Sequence, residues 1–420
     1  MKALFKNALC YSEGTITVSD MLLSDNALSV FTGDVSAVDF PVFENIAVFP
    51  GFHDVHVHLR EPGFCYKETV RTGTSAAAAG GYTAVCSMPN LKPTPDNEEN
   101  LAVQLSAIEE GACIAVYPYG TITKGEMGIE LSDMEKIADK VVAFSDDGRG
   151  VQSYDMMKEA MRRAKSLGKM IVAHCEDNSL LFGGYIHDGE YARLHGHKGI
   201  CSESEWRQIE RDLKLAEETG VSYHVCHIST KESFDLIRRA KARGVDVTCE
   251  TAPHYLTLTD MDIECDDGRF KMNPPLRSAS DRDALIEGLL DGTVDMIATD
   301  HAPHTAEEKS RGLSGSMMGV VGIETAFPVL YTKLVKTGAV PLNTVVRALT
   351  DNPRKRFKIE ADAGFTVFDL GEEYRIDPDK FLSMGRSTPY LGVPVFGRCL
   401  ITVANGRAVY VNERLKNERI

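Results

Sequence analysis

Eight short apolar runs, at 52–58, 82–88, 113–118, 140–145, 169–174, 221–227, 245–250 and 294–299, are spread through the middle of the chain. Helical stretches such as 67–79, 97–110, 153–167, 203–219 and 231–243 lie between most of them. Short strands that are apolar on both faces suit a parallel sheet covered by helices. Eight strand-then-helix units over roughly 300 residues predict a (β/α)8 TIM barrel rather than an open doubly wound sheet. In that fold the C-terminal strand ends converge on one mouth, where active sites are built. The long connection 251–293 and the Gly- and Ser-rich stretch 301–320 are therefore candidate functional loops.

The two ends of the chain have a different texture. GTITV (14–18) and ALSVF (27–31) read as short strands, and LITV (400–403) and RAVYV (407–411) flank Asn405-Gly406, a hairpin-turn signal. Each end is too small to form a core alone. Residues 1–46 and 361–420 are expected to join in one small β domain, with 47–360 inserted as the catalytic barrel. The 46 basic and 61 acidic side chains give a formal charge of −15, which argues against a nucleic-acid partner. No apolar run approaches the roughly 18 residues of a membrane span, and Lys6 interrupts the N-terminal apolar stretch, so the expected location is the cytoplasm. Ten cysteines, Cys10, Cys65, Cys113, Cys201 and Cys399 among them, form no C-x-x-C pair and read as reduced thiols.

Histidine placement carries the chemistry. His56 and His58 end the first predicted strand, His174 the fifth and His227 the sixth, and Asp300 ends the eighth. Residues two apart on a strand share a face, so His56 and His58 should point together and Val55 and Val57 away. Cys175 and Cys226 have the opposite parity to their neighbouring histidines and read as packing residues. Imidazoles and carboxylates without a thiol suit one or two divalent ions, zinc by default. Two ions need a bridge, and the lysine of the fourth run, Lys140, opens that strand roughly 20 Å from the mouth. Asp146 and Asp147 stand at its end instead, and strand parity does not choose between them.

The segments DVHVHLREPG (54–63), SMPN (87–90), FSDDG (144–148), VAHCEDN (172–178), HVCHISTKES (224–233), FKMNPPLR (270–277) and IATDHAPHT (297–305) together resemble the dihydroorotase family of the amidohydrolase superfamily. The likeness is to its bacterial single-function branch, in which an Asp bridges the metals, and it runs in the family's order from about residue 47 to the C-terminus. It implies a zinc-dependent, reversible cyclisation of N-carbamoyl-L-aspartate to L-dihydroorotate in pyrimidine biosynthesis. His56, His58 and Asp300 would hold one ion and His174 and His227 a second, with Asp147 and a hydroxide between them. Asp300 would also be the general acid/base. Arg60, Asn90, Asn273 and His304 match substrate-binding positions, as do Met318 and Gly319, where a Met-Met-Gly run replaces the family's usual Pro-Phe-Gly.

Opening a cyclic amide at neutral pH needs a nucleophilic hydroxide, a polarised carbonyl and a proton donor for the leaving nitrogen, and a dinuclear site beside a carboxylate supplies all three. The competing readings are another cyclic amidohydrolase (hydantoinase, dihydropyrimidinase or allantoinase) and a catalytically silent barrel used for assembly. Arg60 and the Asp bridge disfavour the first. The six retained ligands disfavour the second. A homodimer is left open as the assembly. Asn90 and Asn273 also have plain readings, as a cap of the helix beginning near Asp96 and as a turn residue. His254 and His301 lie near the rim with no assigned role. Residues 305–319, rich in Gly and Ser, are expected to be loosely ordered without ligand and to serve as a lid.

Overall fold

A computed structural model describes residues 1–362 and 364–417, so Ala363 and 418–420 of the expected terminal domain lie outside the described residues. Phe52–Val57 pairs in parallel with Tyr82–Ser87, which pairs with Ala115–Pro118. The fourth position is reduced to bridges from Gly120 to Phe144 and from Phe144 to Ile171. Ile171–Ala173, Tyr223–Val225, Val247–Thr251 and Met296–Ile297 continue the parallel order. A bridge from Val57 to His301 returns to the first strand. The result is the expected (β/α)8 barrel.

The helices follow from their apolar stripes and caps. Tyr154–Ser166 is capped by Ser153 and buries Met157, Ala160, Met161 and Ala164, three or four residues apart. Lys231–Ala242, capped by Thr230, buries Phe234, Ile237 and Ala240 in the same spacing.

The chain termini share one sheet, in the order 407–411, 398–404, 365–369, 46–50, 2–12, 15–24 and 27–30. Asn405 and Gly406 both take positive φ, as a two-residue hairpin turn demands. This sheet runs on to Pro50, past the boundary expected at 46/47: Ile46–Pro50 pairs antiparallel with Phe365–Asp369. The apolar run IAVFP belongs to the terminal sheet, and after Gly51 the chain enters the barrel at Phe52. Phe49, Phe52, Phe327 and Phe368 weld sheet to barrel, with ring centroids 4.3 Å apart for Phe327 and Phe368 and 5.5 Å for Phe52 and Phe368.

Candidate active site

The predicted strand ends do meet, and they meet at Asp147. Its Oδ1 lies 3.3 Å from His56 Nε2, 3.5 Å from His227 Nε2 and 3.8 Å from His174 Nδ1, and its Oδ2 lies 3.4 Å from His58 Nε2. Asp300 Oδ1 closes the group at 3.0 Å from His58 Nε2 and 3.5 Å from His56 Nε2. Asp146 faces elsewhere. It accepts from the Ile122 and Thr123 amides at 2.8 and 3.0 Å and from the Thr123 hydroxyl, fixing the turn that aims its neighbour. Lys140 stands apart from this group, at a separate cavity of about 1010 Å³ lined also by Lys169, Ser222 and Thr248, which lie at or just before the starts of their strands.

Two expectations of strand parity fail here, because the strands end irregularly. The pairing of the first two barrel strands shifts register between Asp54 and Val57, so Val55 packs with Cys86, Tyr119 and Cys226 while Val57 joins the larger core. Cys226 is likewise turned inward, its sulfur within 4.8 Å of donor atoms of His56 and Glu250. Burial holds that thiol well above its ordinary range, as a protonated packing group rather than a thiolate. Cys175 does face away, 3.3 Å from the Tyr223 hydroxyl. His227 and Asp300 both adopt positive φ, 31° and 47°, a strained backbone that turns their side chains toward the centre.

The donor set fits divalent metal. His56 Nδ1 is 2.7 Å from Glu250 Oε1 and His58 Nδ1 is 3.0 Å from Asn90 Oδ1, so each ring commits one nitrogen outward and presents Nε2 to the carboxylates. Buried His56 Nε2 and Asp147 Oδ1 make no hydrogen bond. Burial opposes ionisation of Asp147 and Asp300, but the surrounding imidazoles outweigh it and hold both carboxyls below their ordinary range.

Glu250 was missed in the sequence, although it stands at the end of the seventh predicted strand, on the rim that singled out the candidate ligands. Its Oε2 takes His224 Nε2 at 3.0 Å while Oε1 serves His56, and the His56 and His224 rings hold the carboxylate down to about 2 against its burial. Glu250→Gln, which keeps the shape and removes the charge, is expected to weaken metal affinity by about 10- to 100-fold. Competition with a chromophoric chelator measures this, and parental affinity would show that Glu250 only packs.

Of the positions matched to substrate contacts, Asn90 touches the His/Asp cluster directly and Asn273 reaches it through Glu176. Asn90 is not the helix cap, since Asn97 caps Glu98–Gly111. Asn273 Nδ2 donates to Glu176 Oε1 at 2.9 Å, and Glu176 Oε2 lies 3.8 Å from His174 Nε2. Arg60 does not continue the strand, which stops at Val57; it has φ 62° and is 8% exposed. Its Nε donates to the Pro303 carbonyl at 3.2 Å, and among the described residues no carboxylate lies within ion-pair distance of its guanidinium. Burial lowers its pKa to about 10 even so, with Asp300 and Asp147 acting from farther off to raise it. Burial and the cations Arg60 and Lys67 push His304 down to about 3, so it is neutral, its Nε2 2.8 Å from the Met318 carbonyl and its Nδ1 3.2 Å from Lys67 Nζ.

His301 and His254 also acquire places. His301 Nδ1 accepts from the Gly322 amide at 3.3 Å, and Nε2 lies 3.6 Å from buried Glu68. Burial takes His254 to about 4, with Nε2 left without a hydrogen bond. The segment 305–319 makes many internal contacts. It holds the short helices Ala306–Lys309, with a Thr305/Glu308 capping box, and Gly312–Gly315.

A family model described as Dihydro-orotase-like matches residues 46–233. A dihydroorotase of Fusobacterium nucleatum subsp. nucleatum is 49% identical over 419 residues, covering 98% of this chain and 99% of the relative. One of Bacillus cytotoxicus is 46% identical over 424 residues, with 98% and 99% coverage. Among solved structures, the L-hydantoinase (dihydropyrimidinase) of Arthrobacter aurescens superposes with TM-score 0.83 at 25% identity, covering 97% of this chain and 96% of that one. A D-hydantoinase superposes at 0.82 with 20% identity, over 98% and 96%, a likeness of fold.

Proposed function

The chain belongs to the dihydroorotase family, and from that premise we propose how its residues carry out the reaction. The protein is a hydrolase of cyclic amides that interconverts L-dihydroorotate and N-carbamoyl-L-aspartate in pyrimidine biosynthesis. It is metal-dependent, and in this reading the metal is zinc, two ions per chain: His56, His58 and Asp300 would hold one, His174 and His227 the other, and Asp147 would serve both. Metal bound there supplies an activated water and polarises the ring carbonyl. The convergence of four imidazoles and Asp300 on Asp147, with unpaired donor atoms turned inward, is the observation that carries the reading.

Asp300 takes the proton of the attacking water and hands it to the departing ring nitrogen; in the biosynthetic direction it runs the transfer backwards. Arg60 receives the ring carboxylate, whose charge complements a buried guanidinium with no carboxylate of the described residues within ion-pair distance. Asn90, Asn273 and neutral His304, with the backbone at Met318 and Gly319, orient the ring. The barrel that begins at Phe52 carries the chemistry, and the domain formed from both chain ends, Ile46–Pro50 included, packs against it. The substrate is a small molecule, no helix among the described residues is long and apolar enough to cross a membrane, and we place the enzyme in the cytoplasm.

Fold alone does not separate this activity from that of the hydantoinases. Purified protein assayed with L-dihydroorotate, dihydrouracil, hydantoin and allantoin is expected to turn over the first and to lose that activity on chelation. Preference for an uncharged ring, or activity that survives removal of all metal, would overturn the reading.

A further inference from the structure

Lys309 ends the helix Ala306–Lys309 and is buried, 6% exposed. Its Nζ donates to three backbone carbonyls, of Lys271 at 3.0 Å, Met317 at 2.8 Å and Gly319 at 2.7 Å. An ammonium has three hydrogens, and here all three are engaged in charge-assisted bonds. The intervening carbonyl, of Met318, faces His304 Nε2. Three successive carbonyls, 317 to 319, are thus each held by a side chain from the turn 304–309.

The attachment is reinforced from the backbone. Gly319 N–H donates to the Lys271 carbonyl at 3.0 Å, Met317 N–H donates to Glu308 at 3.0 Å, and Lys271 Nζ reaches the Ser314 carbonyl at 3.1 Å. Gly319 itself takes φ 127°, and a Cβ there would sit 2.8 Å from the Ala302 Cβ and 3.1 Å from His304 Nε2, so this backbone lies directly against the segment following Asp300. Lys271 lies two residues before Asn273. The ammonium therefore joins two segments assigned to the substrate, one carrying Asn273 and the other Met318 and Gly319.

We propose that Lys309 is a positioning residue for dihydroorotate: its ammonium draws the carbonyls of Lys271, Met317 and Gly319 together and so fixes the spacing of the two segments that contact the ring. The proposal rests on the reading of those segments as substrate contacts. Burial and the nearby Lys271 ammonium push the Lys309 pKa down to about 7, with Asp267 opposing them, so the three-donor clasp is complete below that pH. A methionine of similar length would fill the space and gather nothing.

The metal-loaded parent, Lys309→Met and Lys309→Gln are compared at a temperature where each is folded. For Lys309→Met, KM for L-dihydroorotate should rise at least about 10-fold while kcat changes by no more than about 3-fold and metal content is unchanged, because the reacting groups are untouched. Arg311, exposed in the same loop, reports on the clasp: trypsin cleavage after it, read by mass, should be at least about 10-fold faster in Lys309→Met. A KM within about 2-fold of the parent overturns the proposal, and so does an unchanged cleavage rate at Arg311. Should Lys309→Met fail to fold, Lys309→Gln, which keeps two donated hydrogens, must show an intermediate rise in KM, and a parental KM there overturns the proposal equally. A parent inactive on dihydroorotate overturns the functional reading instead, and the Arg311 cleavage rate then decides the clasp.

Discussion

Replacing Asp300 by asparagine is expected to lower kcat by about 10²- to 10⁴-fold while leaving most of the metal in place. The side chains are nearly isosteric, and the amide oxygen can occupy the position of Oδ1, 3.0 Å from His58 Nε2. What the amide cannot do is accept a proton. In the parent, burial disfavours the charged carboxylate, and the neighbouring His58 and His56 oppose that effect and keep it ionised. Because Asp147 and the four imidazoles remain, metal analysis separates the two roles: retained metal with lost turnover identifies the proton carrier. Near-normal turnover would move that carrier elsewhere, with Glu176, 3.8 Å from His174, the next carboxylate to test.

The residues proposed as ligands were legible as a converging group because they follow a rule that acts locally. Each of His56, His58, His174, His227 and Asp300 ends an apolar run, and the barrel topology brings such ends together whatever the sequence between them. Asp147 was legible only through resemblance; its choice over Asp146 depends on hydrogen bonds from Ile122 and Thr123, more than twenty residues away. Parity failed at Val55 and Cys226 because period-two alternation holds only where the ladder is regular, and a register shift or a positive φ at a strand end breaks it. The ties within the loop 305–319 were hidden for a related reason. Gly312, Gly315 and the nearby serines advertise backbone freedom, but the order of the loop comes from Lys309 and His304, whose carbonyl partners no local pattern reveals.

Arg60→Met is expected to raise KM for dihydroorotate and to lower kcat/KM by at least about 30-fold with metal content intact. A guanidinium that is 8% exposed, held by the Pro303 carbonyl and facing no carboxylate at ion-pair distance among the described residues, is a charge removed from water without its counter-ion. Structures sustain that arrangement poorly unless a ligand completes it. The carboxylate of dihydroorotate does so, and truncating one partner of a desolvated charge pair costs about 2 to 5 kcal/mol, or roughly 30- to 4000-fold. Dihydrouracil, the same ring without the carboxylate, supplies the control. If Arg60 acts through that charge, the substitution should remove most of the preference for dihydroorotate over dihydrouracil while leaving whatever slow turnover of dihydrouracil the parent has. Equal losses on both rings would mean that Arg60 acts on the metal-ligand carboxylates Asp300 and Asp147 instead. A kcat/KM within a few-fold of the parent would show that the substrate carboxylate is held elsewhere, and the hydantoinase-like reading of this barrel would then have to be reopened.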